Sequence, residues 1–250
     1  MAGDSKVAIV TGAARPWGLG RATALALAQA GMDIVVADVR DDWGAEAVDA
    51  VKKTGRNAIY VRTDVSKKAQ VQAMVDQTER ELGRIDTLVN VAALVANERI
   101  DEMREETMDR LISVNLKGTM FTCQAVVPAM RKVGGGRIVN VASGGAVQPL
   151  KGSGIYGATK AGVVIFSKIL AWEVGRDNII VTTVAPGGMV TNMGQDEGPR
   201  PEEYNIQYRS PFNRRLKAED VAEVIVFAAT AASPSLTGQT LHANNGAYMV

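Results

Sequence analysis

Short runs rich in valine and isoleucine alternate with longer segments of helical period along the whole chain. Seven of the runs predict strands: Lys6 to Thr11, Asp33 to Asp38, Ala58 to Thr63, Thr87 to Asn90, Arg137 to Ala142, Ile179 to Val184 and Gln239 to His242. All but the last are followed by a segment that reads as a helix, and this rhythm predicts an α/β chain built on a parallel sheet. Right-handed crossovers then place helices on both faces, and ligands bind where strand C-termini open at the switch in strand order. Functional residues are therefore expected just after strands. The only long polar stretch without clear period, at about 191–217, reads as a lid over a substrate site.

Composition narrows the class. With 250 residues, 46% hydrophobic and 22% charged, the chain suits a single domain over residues 1–250 with a substantial core. A net charge of +1 supplies no basic stripe for nucleic acid, so a small-molecule ligand is expected. Cys123 and His242 are the sole cysteine and histidine, which excludes an intrachain disulfide and any cysteine- or histidine-rich metal centre. The N-terminal residues show no charged segment followed by a long apolar one, and no apolar run reaches the ~18 residues that span a bilayer. A cytoplasmic protein with no membrane partner is the expectation.

Three residues carry the strongest chemical signal. Tyr156 and Lys160 are four apart, and on a helix that spacing returns both side chains to one face with an axial advance of roughly 6 Å. An ammonium one turn away stabilises a phenolate, which makes a phenol usable for proton transfer near neutral pH. Ser143 ends a predicted strand and brings a hydroxyl to the same cleft if that strand opens there. Taken singly, each has a bland reading: a strand-end serine, or a surface tyrosine covered by a lysine stem. His242 has no identifiable acid partner, so a Ser-His-Asp hydrolase is poorly supported.

The first strand runs into a turn containing Gly12, Arg15, Gly18, Leu19 and Gly20 before an alanine- and leucine-rich helix. Glycines there let backbone amides at a helix N-terminus approach a pyrophosphate closely. Asp38 ends the second strand, where a carboxylate can accept both hydroxyls of an adenosine ribose and repel a 2′-phosphate, favouring NAD over NADP. Arg15 and Arg40 lie close enough in sequence to meet a phosphate instead.

Together with the motifs that follow, these residues make the chain resemble the short-chain dehydrogenase/reductase family over nearly its whole length. Thr11, Gly12, Gly18 and Gly20 match the family's glycine motif, and Asp64, with Val65 beside it, matches its adenine-contacting aspartate. Asn90 to Ala93 correspond to its N-N-A-G segment, which places Asn90 and Ala92 at the cofactor. Asn115 matches its active-site asparagine, and Ser143, Tyr156 and Lys160 match its serine and Y-x-x-x-K pair. Pro186, Gly187 and Thr191, with Met189 between, match the segment that holds the nicotinamide carboxamide. Two departures stand out: five residues, Ala13 to Trp17, separate the first two glycines where relatives have three, and Val91 and Ala93 replace the second asparagine and the glycine.

The resemblance implies a doubly wound Rossmann fold with a seven-stranded parallel sheet and helices on both faces. It also implies an NAD-dependent oxidoreductase that interconverts a secondary alcohol, cyclic ones included, and its ketone by hydride transfer. Tyr156 is then the general acid/base and Lys160 lowers its pKa and holds the nicotinamide ribose. Ser143 orients the substrate oxygen and Asn115 keeps a water in a proton path past Lys160. Ser143, Gln148, Tyr156 and Gly188 are expected at the substrate, with walls drawn from Val95, Ala96, Gly145, Leu150, Ile155 and Met189. Arg200, Arg209, Arg214 and Arg215 of the lid could meet an anionic substrate group. The alternatives are an NADPH-dependent 3-oxoacyl thioester reductase and a non-catalytic nucleotide-sensing protein of the same fold. Two long helices, around Glu105 to Arg131 and Gly157 to Gly175, resemble those through which family members form homotetramers.

Overall fold

A computed structural model describes residues 5–190 and 210–250. Seven parallel strands form one sheet in the order β3-β2-β1-β4-β5-β6-β9. They are β1 Val7–Thr11, β2 Asp33–Asp38, β3 Ala58–Arg62, β4 Thr87–Asn90, β5 Gly136–Val141, β6 Ile179–Pro186 and β9 Thr240–Ala243. All seven expected strands are present, two with the expected bounds and the others with ends displaced by at most two residues. The largest shift is in β6, which continues through Pro186 because Ala185 and Pro186 stay in register with His242 and Ala243 of β9.

Every residue of β1 and β6 is buried, as expected of parallel strands covered on both sides. Alternate side chains feed two cores. Ala8 and Val10 of β1 join Ile34, Val89, Val139 and Ile225 in one core, under helices α1 Leu19–Gln29, α2 Asp41–Lys52 and α7 Ala218–Thr230. Val7 and Ile9 join Leu88, Ile138, Met74 and Val126 in the other, under α3 Lys68–Leu82, α5 Thr119–Lys132 and α6 Gly154–Val174. The strand order reverses between β1 and β4, and the C-terminal ends of those strands frame the cleft described below.

Two local features depart from the sequence pattern. The helix expected around Glu105 to Arg131 is α4 Glu105–Leu111 and α5 joined by a π-helical segment, Ile112–Gly118, and that wider turn contains Asn115. Of the stretch read as a lid, 191–209 lies outside the described residues. Its return holds a two-residue strand, β8 Leu216–Lys217, paired in parallel with β7 Met189–Val190. Asp220 then accepts the Lys217 backbone N–H at 2.8 Å and starts α7.

The segment Gly154–Asp177, α6 with its last turn, is by length and composition the one helix among the described residues that could cross a membrane. It is a core helix of this sheet instead: Lys160, Val163, Ser167, Leu170, Ala171 and Val174 are buried. Its other face exposes Ile165, Ile169 and Trp172, the last 91% exposed.

Candidate active site

A cleft of about 980 Å³ runs along the C-terminal ends of the strands. Its adenosine-side wall begins at the β1–α1 turn. Gly12 has φ +66°, and a Cβ there would sit 2.9 Å from the Ala92 Cα. A side chain on Gly20 would collide with the Gly12 carbonyl oxygen. Gly18 is the N-cap of α1, whose first turn has neither a capping side chain nor an acidic residue. The first amides of α1 are thus left to an anion, and the turn is stripped of the atoms that would keep one away. Pro16 and the exposed Trp17 take up the added length at the loop tip, while Ala13 and Ala14 are buried beneath it.

Asp38 stands at the end of β2 on the same wall. Its Oδ2 accepts the Ala14 N–H at 2.9 Å and its Oδ1 accepts the Val39 N–H at 2.8 Å. The Arg40 guanidinium makes a two-point contact with Asp42, at 2.8 and 3.1 Å, and lies 4.0 Å from the Trp43 ring centroid. Arg15 also sits over that ring, at 5.1 Å. A carboxylate beside a bare glycine turn fits the ribose and pyrophosphate of a dinucleotide. Asp64 and Val65 continue the wall, with Asp64 Oδ1 accepting the Ser66 N–H and hydroxyl at 2.9 and 2.7 Å.

Ser143, Tyr156 and Lys160 all line the other end of the cleft. Ser143 leaves β5 in an extended conformation and its Oγ accepts the Gly145 N–H at 3.1 Å. Tyr156 lies in the first turn of α6, and the Lys160 Nζ is 6.0 Å from its ring centroid and donates to the Val141 carbonyl at 2.8 Å. Burial pushes the Lys160 ammonium down to about 8. Burial also raises the Tyr156 phenol above its ordinary value, and the hydrogen bond with Ser143 opposes that rise. In the free protein burial is the largest influence on the phenol, and it acts against the depression expected from the lysine neighbour.

Of the remaining expected positions, Leu19, Ala92, Gln148, Pro186, Gly187, Gly188 and Met189 line the cleft, as do Val95, Gly145 and Leu150. Ala96 and Ile155 do not. Thr191, Arg200 and Arg209 lie outside the described residues. Arg214 is paired with Asp220 at 2.7 Å.

One assignment changes, and a second residue gains bonds that the sequence did not show. Asn90 does not line the cleft: its Nδ2 donates to Asn140 Oδ1 at 2.8 Å and its Oδ1 accepts the Thr122 hydroxyl at 2.7 Å. Asn115 is fully buried, its Oδ1 accepting the Leu94 N–H at 2.7 Å and its Nδ2 donating to the Leu94 carbonyl at 2.9 Å and to Thr159 Oγ1 at 3.2 Å. Thr159 in turn donates to the Tyr156 carbonyl at 2.8 Å. Through these three bonds Asn115 braces the Leu94 segment and the first turn of α6.

Thr11, matched in the sequence to the glycine motif, acts through its hydroxyl, which accepts both the Val91 and Ala92 N–H groups at 3.1 Å and steadies the end of β4 where Val91 and Ala93 depart from the family pattern. Sequence reasoning gave no sign of that contact. It also missed the Arg21 clamp, whose guanidinium donates to the Ala14 carbonyl and, at 3.2 Å, to the Trp43 carbonyl. Tyr248, by contrast, lines the cleft and carries no signal in the sequence.

A family described as enoyl-(acyl carrier protein) reductase matches residues 12–248. The chain is 36% identical over 253 residues to the short chain dehydrogenase/reductase astE of Aspergillus oryzae, covering 99% of this chain and 96% of that one. It is 36% identical over 244 residues to a 3-oxoacyl-acyl-carrier-protein reductase FabG of Thermotoga maritima, covering 97% and 98%. Among solved structures, a putative short-chain alcohol dehydrogenase of Sinorhizobium meliloti superposes with a TM-score of 0.88 at 31% identity, over 97% of this chain and 96% of that one. Sheet order, bare glycine turn and the matched length of these relatives agree, and the chain belongs to the short-chain dehydrogenase/reductase family of nicotinamide-dependent oxidoreductases.

Proposed function

We propose that this protein, working as one domain, is an NAD(H)-dependent oxidoreductase that interconverts a secondary alcohol and its ketone, with Tyr156 as general acid/base. The observation that carries the reading is that Ser143, Tyr156 and Lys160 share one cleft with the glycine turn and the Asp38 carboxylate. A nicotinamide dinucleotide supplies the hydride donor or acceptor when bound. At neutral pH the raised Tyr156 is a neutral phenol, the form that donates a proton to a carbonyl oxygen. Ser143 orients that oxygen from beside the ring, and Lys160, held by the Val141 carbonyl, is the neighbouring cation that stabilises the phenolate left behind. In the oxidation direction the phenolate takes the proton from the alcohol. Val95, Gly145, Leu150 and Gly188 make small or apolar walls suited to a neutral substrate. Asp38 supports NAD over NADP because a 2′-phosphate would meet its charge.

A 3-oxoacyl thioester with NADPH is the second reading, supported by the similarity to the Thermotoga maritima reductase. The exposed Ile165, Ile169 and Trp172 on α6 support a homotetramer built on that face, to be measured by light scattering. The deciding experiment mixes the purified protein with NAD or NADP and a panel of secondary alcohols while following reduced nicotinamide by absorbance. Turnover with NAD that disappears in Tyr156→Phe is the expected result. Activity restricted to NADP would remove the cofactor reading, and dinucleotide binding without turnover across the panel would favour a sensor.

A further inference from the structure

After β9, residues 243–248 turn back into the cleft. Asn244 knots this turn: its Nδ2 donates to the Tyr248 carbonyl at 2.8 Å, its Oδ1 accepts the Gly246 N–H at 2.8 Å and its carbonyl accepts the Ala247 N–H at 3.0 Å. Asn245 and Gly246 adopt left-handed conformations, with φ +52° and +73°. The Tyr248 side chain is thereby delivered to the cleft wall next to the residue that follows Ser143. A Cβ on Gly144 would lie 2.7 Å from both Cε1 and the hydroxyl of Tyr248, so ring and bare backbone are in direct contact. The far side of the ring system is fixed as well. Its hydroxyl faces the Ala185 carbonyl of β6 at 3.4 Å and His242 Nδ1 at 3.3 Å, and the His242 ring meets it edge-on at 5.7 Å.

The Ser143 hydroxyl is bonded to the Gly145 N–H, so its direction depends on where the Gly144–Ala146 turn lies. That turn rests on Tyr248. We infer that Tyr248 is a positioning residue for Ser143: its ring is the floor that holds the Gly144 backbone and thereby aims the Ser143 hydroxyl at the substrate oxygen. The inference rests on the proposed oxidoreductase reading of the cleft. It gives the last residues of the described chain a part in the chemistry without contact to the reacting atoms.

The test is a double-mutant cycle between Gly144→Ala and Tyr248→Ala, read with NAD and the secondary alcohol that gives the fastest turnover in the panel. Each single change is expected to lower kcat by about tenfold or more, since small misplacements of a catalytic group are costly. The KM for NAD and its affinity, measured by fluorescence titration, are expected to stay within about twofold, because the turn lies apart from the glycine wall. Tyr248→Phe, which keeps the ring, is expected to retain most of kcat. In the double variant the loss should be less than the product of the single losses, because removing the ring makes room for the new methyl. If Tyr248→Ala does not fold, Tyr248→Leu takes its place in the cycle. Multiplicative losses, or a fall in NAD affinity as large as the fall in kcat, would overturn the inference while leaving the oxidoreductase reading intact. A wild-type protein without turnover on any substrate would remove both.

Discussion

The Ala14 N–H donates to Asp38 Oδ2 at 2.9 Å. The carboxylate placed to meet a ribose therefore also holds the lengthened glycine loop against the end of β2. Charge and loop shape are coupled at one side chain, and Arg21 ties the same loop to the backbone of Trp43 from beneath.

Asp38→Asn separates the two roles. The carboxamide oxygen can still accept the Ala14 N–H, but the charge that favours ribose hydroxyls and repels a 2′-phosphate is gone. NAD affinity is expected to fall by roughly tenfold or more, the scale of a hydrogen bond to a charged group, while NADP affinity rises. Titration calorimetry with both dinucleotides checks this, and unchanged discrimination would remove Asp38 from the ribose.

The glycines of the turn are not equivalent. Gly20→Ala drives a methyl into the Gly12 carbonyl oxygen and within 2.9 Å of the Ala13 Cα, both backbone atoms that cannot step aside. It is expected to cost about 1–3 kcal/mol of stability and most of the dinucleotide affinity. At Gly18 the nearest atom to a new methyl is the Arg15 carbonyl oxygen at 3.3 Å, so Gly18→Ala should be much milder. Thermal melts with and without NAD compare the pair, and equal losses would contradict the packing argument.

Asn90 belongs to a buried polar chain. It bonds Asn140 and Thr122, Asn140 Nδ2 donates to Ser167 at 2.9 Å, and Ser167 donates to the Val163 carbonyl at 2.7 Å. Asn90→Ala leaves buried partners unpaired and is expected to destabilise the fold by about 1–3 kcal/mol, with NAD affinity unchanged. Denaturant unfolding beside a binding titration decides between this and direct cofactor contact; a variant as stable as the parent that binds NAD poorly would restore the contact role.

Much of this was legible in the sequence because the signals are local. The strands and their parallel pairing follow from valine-rich runs alternating with helical segments, and the Tyr156 and Lys160 pair follows from helical spacing. Asn90 was misplaced because ending a strand does not say which face a side chain takes; it falls on the face of Leu88, toward α5, and away from the cleft. The bonding of Asn115 was hidden for a related reason. The π-helical turn at Ile112–Gly118 leaves no mark in the hydrophobic period, and the bonds that hold its amide come from Leu94 and Thr159, 21 and 44 residues away. Tyr248 reaches Gly144 across more than a hundred residues through a turn whose course is set by Asn244.

Lys160 makes the pH dependence specific. Its folded pKa is lowered from 10.5 to about 8 by burial, so below pH 8 it is protonated in both the folded and unfolded chains and the buried charge opposes folding by roughly 3 kcal/mol. Between pH 8 and 10.5 the folded state gives up its proton first, the unfolded chain binds more protons, and this opposition fades. Lys160→Met removes the ammonium and is expected to abolish turnover yet unfold at higher denaturant than the parent at pH 7. Cys123, pushed up to about 12 by burial, titrates alike in both proteins, so the difference between them isolates Lys160. That difference should shrink as pH rises from 8 to 10.5 in urea unfolding series. A stability gap constant with pH would mean that burial does not lower the Lys160 pKa in the folded protein.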